Sequence, residues 1–366
     1  MVKNKFINPI FWKDKKVFIT GHTGFKGSWL AYWLIYLGAN VKGYALKPVT
    51  ENSLYNELKL NNIMFSDIND IRDLDKLKNS VKEFNPDIVF HLAAQPLVRY
   101  SYNNPIETYE INVMGTANIL QAVRDCGNIK SVVCITTDKC YENKEWLWSY
   151  RENEPMGGHD PYSSSKGCAE LLISSFRRSF FNENNSPGIS SARAGNIIGG
   201  GDWSEDRLVP DILKSYKNKT SIKIRNFHAI RPWQYILEPL RGYMLLAENL
   251  YTDRKKYSQA FNFGPLDSDV KSVGWIFNKM NKIFGDNLLL ENDGSENVHE
   301  AKLLKLDCSK ANQKLKWLPI YNISKTLEEI IAWYKLWLEG ADIKDICNNN
   351  IEEYSKFWIS NQNKSN

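Results

Sequence analysis

Asp138 and Lys139 stand side by side where an apolar, β-branched run, Ser131 to Thr137, gives out. Ligands of open α/β sheets bind beyond the carboxyl ends of the strands. A carboxylic acid and an amine at such a point can give a proton to one atom of a substrate and take one from another. Successive strand residues face opposite sides, so the chain must leave regular strand geometry near residue 137 for both groups to reach one substrate. One segment further on, Asp-Pro-Tyr-Ser-Ser-Ser-Lys places Tyr162 and Lys166 four apart, on one face of a helix. A cation beside a phenol favours the phenolate, which suits Tyr162 to proton exchange with an alcohol hydroxyl. Tyr55 with Lys59 and Tyr251 with Lys255 have the same spacing. Only the Tyr162 copy follows a strand end bearing an acid and an amine; the other two read as exposed helix pairs.

Gly21, Gly24 and Gly27 recur at three-residue spacing where a short strand, Lys16 to Thr20, runs into an apolar helix. Glycines there permit a tight turn and let a pyrophosphate approach the N–H groups and positive dipole end of the helix. Thr23, Phe25 and Lys26 fill the same turn and are assigned with the glycines to a dinucleotide. The acid expected about 20 residues on, for the adenosine ribose, is missing. Lys47 lies there instead; it is either solvated or a partner for a 2′-phosphate, so NADP stays open beside NAD. Asp67 either accepts from the adenine amino group, with Ile68 over the ring, or caps the helix that follows. Leu92, Ala93 and Ala94 close another strand, where small side chains let the cofactor lie against the backbone, and Thr136 is placed with them.

These residues need a frame to hold them. Short β-branched runs at 16–20, 40–46, 87–94 and 131–137 alternate with helical spacing at 27–38, 71–84 and 108–127. That alternation predicts an α/β fold, a Rossmann-type doubly wound parallel sheet. The pattern loosens after about residue 195, which predicts a smaller, mixed α/β C-terminal substrate domain. The division expected is 1–195, with 230–263 returning to it, as the dinucleotide domain. Residues 196–229 and 264–355 then form the substrate domain, and 356–366 a frayed tail.

A hydrophobic content of 43% and a charged content of 24% are ordinary for a soluble globular protein. The net charge of +5 is mild and Lys is spread along the chain, so no nucleic-acid partner is expected. The longest apolar stretch, Trp29 to Leu37, is about half a membrane span and no secretory leader is legible, so a cytoplasmic protein without membrane contact is expected. Six cysteines without a CxxC pair read as free thiols, and five scattered histidines without ligand spacing predict no metal.

In order along nearly the whole chain, the glycine turn, Asp67-Ile68, "HLAA", "NVMGT", the Thr-rich strand end and Tyr162-xxx-Lys166 resemble the extended short-chain dehydrogenase/reductase superfamily. "GHTGFKGSWL", "AAQPLVR", "TTDKCYEN", "YRENEPMGGHDPYSSSKGCAEL", "RAGNIIGGGDW", "IRPWQYILEPL" and "LKLDCSKAN" resemble the nucleotide-sugar 4,6-dehydratases, their CDP-glucose group in particular. The resemblance implies NAD as cofactor and CDP-D-glucose as substrate. It implies transient oxidation at C4, loss of water across C5 and C6, and return of hydride to C6. Another nucleotide-sugar 4,6-dehydratase or a 4-epimerase is the alternative on this scaffold. Thr137 is implied to bind the C4 oxygen. Related enzymes commonly read Thr-Asp-Glu where this chain reads Thr137-Asp138-Lys139. Lys139 therefore either becomes the C5 base, with Asp138 as acid, or stays charged and stabilises the intermediate. Gln95, Arg99, Asn196, Arg231, Asn262 and His299 match substrate-contacting positions, and a homodimer or higher homo-oligomer is implied.

Overall fold

Seven short segments become parallel strands because helices cover both faces of the sheet and bury most of the residues between them, while the edge strand Phe65–Ile68 stays partly exposed. The computed structural model describes residues 4–224, 226–292 and 303–363. The strands are β1 (Lys16–Thr20), β2 (Asn40–Ala45), β3 (Phe65–Ile68), β4 (Ile88–His91), β5 (Ser131–Ile135), β6 (Gly188–Ala194) and β7 (Ala260–Phe263). Their order is β3-β2-β1-β4-β5-β6-β7, all parallel. The strand order reverses between β1 and β4, which opens a crevice at their carboxyl ends. Period-two alternation separates two cores: Val17 and Ile19 join Trp12, Trp29 and Trp33 on one face, while Phe18 joins Tyr44, Leu120 and Ile173 on the other.

Local signals set the helix ends. Asp73 caps Leu74–Phe84 by accepting from the Lys76 amide, so Asp67 is not that helix's cap. Asp160 caps Pro161–Ser179, whose first residue is a proline needing no donor. The helical pattern at 108–127 is interrupted by a π-helical turn, Glu110–Met114, before Gly115–Asp125. Of the three Tyr-xxx-Lys copies, only Tyr162 and Lys166 share one helix. Tyr55 is buried in Leu54–Glu57 and Lys59 has left it with φ 49°; the helix of Tyr251 ends at Thr252.

Beyond β6 the chain adds a parallel pair, Ser221–Ile224 with Leu289–Asn292, and an antiparallel pair, Ile230–Pro232 with Val270–Ser272. The helix Leu237–Thr252 returns to the sheet with β7. The final helix is Ile343–Asn363, so residues 356–363, expected to fray, are helical. Its Tyr354 bonds Glu238 and Arg241, and Tyr32 of Phe25–Tyr36 bonds Asn348, which ties that helix to the dinucleotide half. Among the described residues, no helix is long and apolar enough to cross a membrane.

Candidate active site

The glycine turn is packed backbone to backbone. Gly21 has φ 79°, and a Cβ on it would lie 2.7 Å from the Ala93 amide nitrogen. A Cβ on Gly27 would lie 2.0 Å from the Gly21 carbonyl oxygen. Gly24 opens the helix Phe25–Tyr36 without a side-chain cap, leaving first-turn N–H groups for an anion. Thr20 accepts from the Ala93 amide and pairs with His91, which also meets Thr116. His91 is driven down to about 3 by burial and by Lys166, so this bracket is neutral. Thr23 spends its hydroxyl on the Leu46 carbonyl, a brace for the turn rather than a ligand contact. At the far end Asp67 receives Lys42 at 2.9 Å and Ser80 at 2.6 Å. Burial pushes its carboxyl up, but Ser80 and Lys42 hold it below the ordinary range. Ile68 is 39% exposed beside it, and Lys47 is exposed. A cradle with no room for side chains, an open helix start and a fixed anion at its end fit a dinucleotide.

β5 ends at Ile135, and Asp138–Cys140 then forms one 3-10 turn with Thr137 as its cap. That turn meets the geometric condition: Thr136, Thr137, Asp138 and Lys139 all line one cleft of about 300 Å³ with Tyr162. Asp138 is 2% exposed; its Oδ1 accepts from Thr137 at 3.0 Å, while its Oδ2 meets no partner among the described residues. Burial raises its carboxyl above the ordinary value despite Lys139, Thr137 and Arg231 nearby. Asp138 therefore tends to keep its proton, as an acid must. Burial also raises the Tyr162 phenol to about 12, against the phenolate expected from the neighbouring Lys166, and lowers Lys166 to about 8.

Arg99, Asn196 and Arg231 line the same cleft. Two other substrate candidates do not. Gln95 is buried with its amide committed to Thr108 and to the Leu97 amide, so it shapes the loop after β4. Asn262 is wholly buried in β7, accepting from Tyr141 and donating to the Tyr150 and Asp307 carbonyls. Its side chain points beneath the cleft because of its strand parity. His299 lies outside the described residues.

A sequence model described as GDP-mannose 4,6 dehydratase matches residues 18–330. The chain belongs to the GDP-mannose 4,6-dehydratase family. Among relatives, the CDP-glucose 4,6-dehydratase of Salmonella typhimurium is 56% identical over 352 residues, covering 95% of this chain and 98% of that protein. A dTDP-glucose 4,6-dehydratase of Streptomyces venezuelae, solved with NAD and TYD bound, has a TM-score of 0.75 at 20% identity, covering 90% of this chain and 99% of that one. The UDP-glucose 4-epimerase of Thermotoga maritima, solved with UDP-glucose, has a TM-score of 0.76 at 21% identity over 88% and 99% of the two chains. These structures share the fold of this family member.

Three features of this dehydratase-family cleft escape sequence reasoning. Arg207 lines it, held at 2.9 Å by the buried Asp202. The acidic and basic residues after "GGGDW" were the available signal. Glu170, one turn beyond Lys166, is buried beneath it and accepts from Thr136, Ser191 and Arg193. Lys26, assigned to the dinucleotide turn, also lines the cleft that holds Asp138 and Tyr162.

Proposed function

We propose that this family member is a CDP-D-glucose 4,6-dehydratase, forming CDP-4-dehydro-6-deoxy-D-glucose and water with NAD as its cofactor. One observation carries the reaction class: Asp138, inclined to stay protonated, shares a cleft with Lys139 and Tyr162. An epimerase has no departing hydroxyl to protonate and needs no such acid. The choice of cytidine rests on the 56% identity to the Salmonella enzyme.

The chemistry NAD supplies when bound is hydride acceptance from C4 and hydride return to C6. Gly21, Gly24 and Gly27 with the open helix start hold its diphosphate. Asp67 and Ile68 take the adenine, and Leu92, Ala93, Ala94 and Thr136 lie along the remainder. Tyr162 accepts the C4 hydroxyl proton while Lys166 stabilises the phenolate and Thr137 bonds the C4 oxygen. The resulting ketone acidifies C5, Lys139 takes that proton, and Asp138 protonates the departing C6 oxygen. Lys139 then returns its proton to C5. Arg231 suits the substrate diphosphate through charge-assisted bonds, with Arg99 and Asn196 on the same wall.

Turnover on CDP-, dTDP-, UDP- and GDP-glucose, read as loss of water by mass spectrometry, is expected to favour CDP-glucose; tenfold preference for another nucleotide overturns the cytidine reading. Lys139→Met is expected to slow exchange of the C5 hydrogen with solvent deuterium by about 10²-fold. Exchange at the wild-type rate would remove Lys139 as the base. A homodimer is supported by exposed apolar residues, Ile106, Met114 and Leu171, on neighbouring helical segments around Pro161–Ser179; a monomer in sedimentation would refute it. A cytoplasmic setting is supported by free buried thiols at Cys126, Cys134, Cys140 and Cys347, and active enzyme recovered only from outside the cell would count against it.

A further inference from the structure

Oδ2 of Asp138 is buried and has no hydrogen-bond partner among the described residues. A buried acceptor without a donor calls for a cause, and the backbone beside it supplies one. A Cβ on Gly195 would lie 2.9 Å from that oxygen and 2.8 Å from Cγ of Pro232, closer than packed atoms approach. Gly195 is outside the left-handed region, so its backbone conformation does not require glycine. Only the space beside Asp138 demands a bare Cα there.

Strand parity makes that demand specific. Residues 191, 193 and 195 share one face of β6 and its continuation. Ser191 donates to Glu170 at 2.8 Å and Arg193 at 2.7 Å, whereas Gly195, the next position, has no side chain to offer Asp138. One strand thus completes the donor set of one carboxyl and withholds it from the other. Neither wall of the gap yields easily. Thr137 holds Oδ1 of Asp138 at 3.0 Å. The turn Asp138–Cys140 is pinned behind: the Cys140 carbonyl accepts from the Gly157 amide at 2.9 Å and would lie 3.3 Å from a Cβ on Gly167. Opposite, Gly195 sits between the paired residues Ala194–Phe263 and Ile197–Gln234, and Pro232 closes a strand paired with Val270. A side chain at 195 therefore has to turn the Asp138 carboxyl out of its seat.

We infer that Gly195 is a positioning residue for the dehydration proposed above, on which this role rests: its bare Cα seats Oδ2 of Asp138 away from water and from side-chain donors, so the acid meets the departing C6 oxygen still carrying its proton. Gly195 acts through Asp138 alone and breaks no bond of the sugar. The titratable groups around Asp138 are Lys139 and Cys140 in its own turn, Arg231 on Ile230–Pro232, Lys26 on Phe25–Tyr36 and Tyr162 on Pro161–Ser179. Burial outweighs the cations among them and keeps the carboxyl above its ordinary value. A carboxyl turned out of the seat gains water and gives up its proton at lower pH.

The test is Gly195→Ala in the full-length chain with NAD bound, assayed on CDP-glucose and on its 6-deoxy-6-fluoro analogue, whose fluoride departs without needing a proton. On CDP-glucose, turnover is expected to fall by about 100-fold while C4 oxidation continues, so that NADH absorbance builds up. The alkaline limb of the kcat profile is expected to move to lower pH. On the fluoro analogue the variant is expected to keep pace with the wild type. Equal losses on both substrates, an unmoved alkaline limb, or loss of C4 oxidation with NAD still bound would each overturn the assignment and reduce Gly195 to packing. Should Gly195→Ala not fold or not hold NAD, Pro232→Ala decides. Removing Cγ opens the seat to water, so the same limb shift is expected, and an unmoved limb overturns the role. A wild-type chain that dehydrates none of the nucleotide glucoses would instead sink the reaction itself, and this role with it.

Discussion

Two polar clusters lie near the carboxyl ends of β5 and β6, joined through Thr136, which lines the cleft and donates to Glu170. One is the cleft of Asp138, Lys139, Tyr162 and Lys26. The other lies beneath it: Arg193 joins Glu170 at 2.7 Å and Tyr141 at 2.8 Å, and Tyr141 joins Asn262 at 2.7 Å. Both hold a buried carboxylate, a buried tyrosine and basic groups. The proton affinities of their carboxyls nevertheless move in opposite directions. Burial pushes both carboxyls up, but Glu170 accepts from Arg193, Thr136 and Ser191 and ends below its ordinary value. Asp138 accepts from the Thr137 hydroxyl while its buried Oδ2 has no partner among the described residues, and it ends above its ordinary value. Burial alone therefore does not make a reactive acid; burial without a complete set of donors does.

That contrast can be broken most directly by substituting one member of each cluster. Asp138→Asn is expected to lower kcat by about 10³-fold while C4 oxidation persists, seen as NADH absorbance without product. Arg193→Met, by orphaning Glu170, is expected to cost about 3–5 kcal/mol of stability, read from the urea midpoint. A stable Arg193→Met chain with lost chemistry would erase the distinction. The asparagines sharpen it on a smaller scale. Asn262→Ala is expected to cost about 1–3 kcal/mol with the substrate KM unchanged. Asn196→Ala should raise KM with little change in stability, and the reverse pattern would restore Asn262 as a substrate ligand.

The smallest effect is in pH. Asp138 is raised in the fold, so between the unfolded carboxyl value and its own value the native chain binds more protons than the unfolded one. Its contribution is present at low pH and is lost as pH rises through that window. Glu170 is depressed and behaves oppositely: its contribution is present above the unfolded value and is lost as pH falls through the folded one. Asp138→Asn should therefore gain stability relative to wild type as pH rises, in denaturation curves from acid to neutral pH. A constant difference would mean that Asp138 is not raised.

Much of this was legible in residue order. The glycine turn, the capped helix carrying Tyr162 and Lys166, and the abrupt end of the strand before Asp138 are local features. Each depends on backbone freedom, hydrogen bonds or side-chain spacing within a few residues, so neighbouring residues suffice to read them. Gln95 and Asn262 show where that stops. Both sit beside strand ends rich in polar groups, yet one is locked to Thr108 and the other turned under the sheet. The two other Tyr-xxx-Lys spacings failed for a related reason: each straddles a helix end.

By itself, residue order determined the alternation of strand and helix, the phosphate-binding turn, and the acid, amine and phenol available for reaction. Only the tertiary structure decided which charged groups share a cavity and which neutralise one another. It placed Lys26 of the helix Phe25–Tyr36 in one cleft with Asp138 of the turn after β5, and it paired Arg207 with Asp202 on the same wall. The reason is that proton affinity depends on desolvation and on charges brought together from distant segments, and those quantities exist only after the chain has packed.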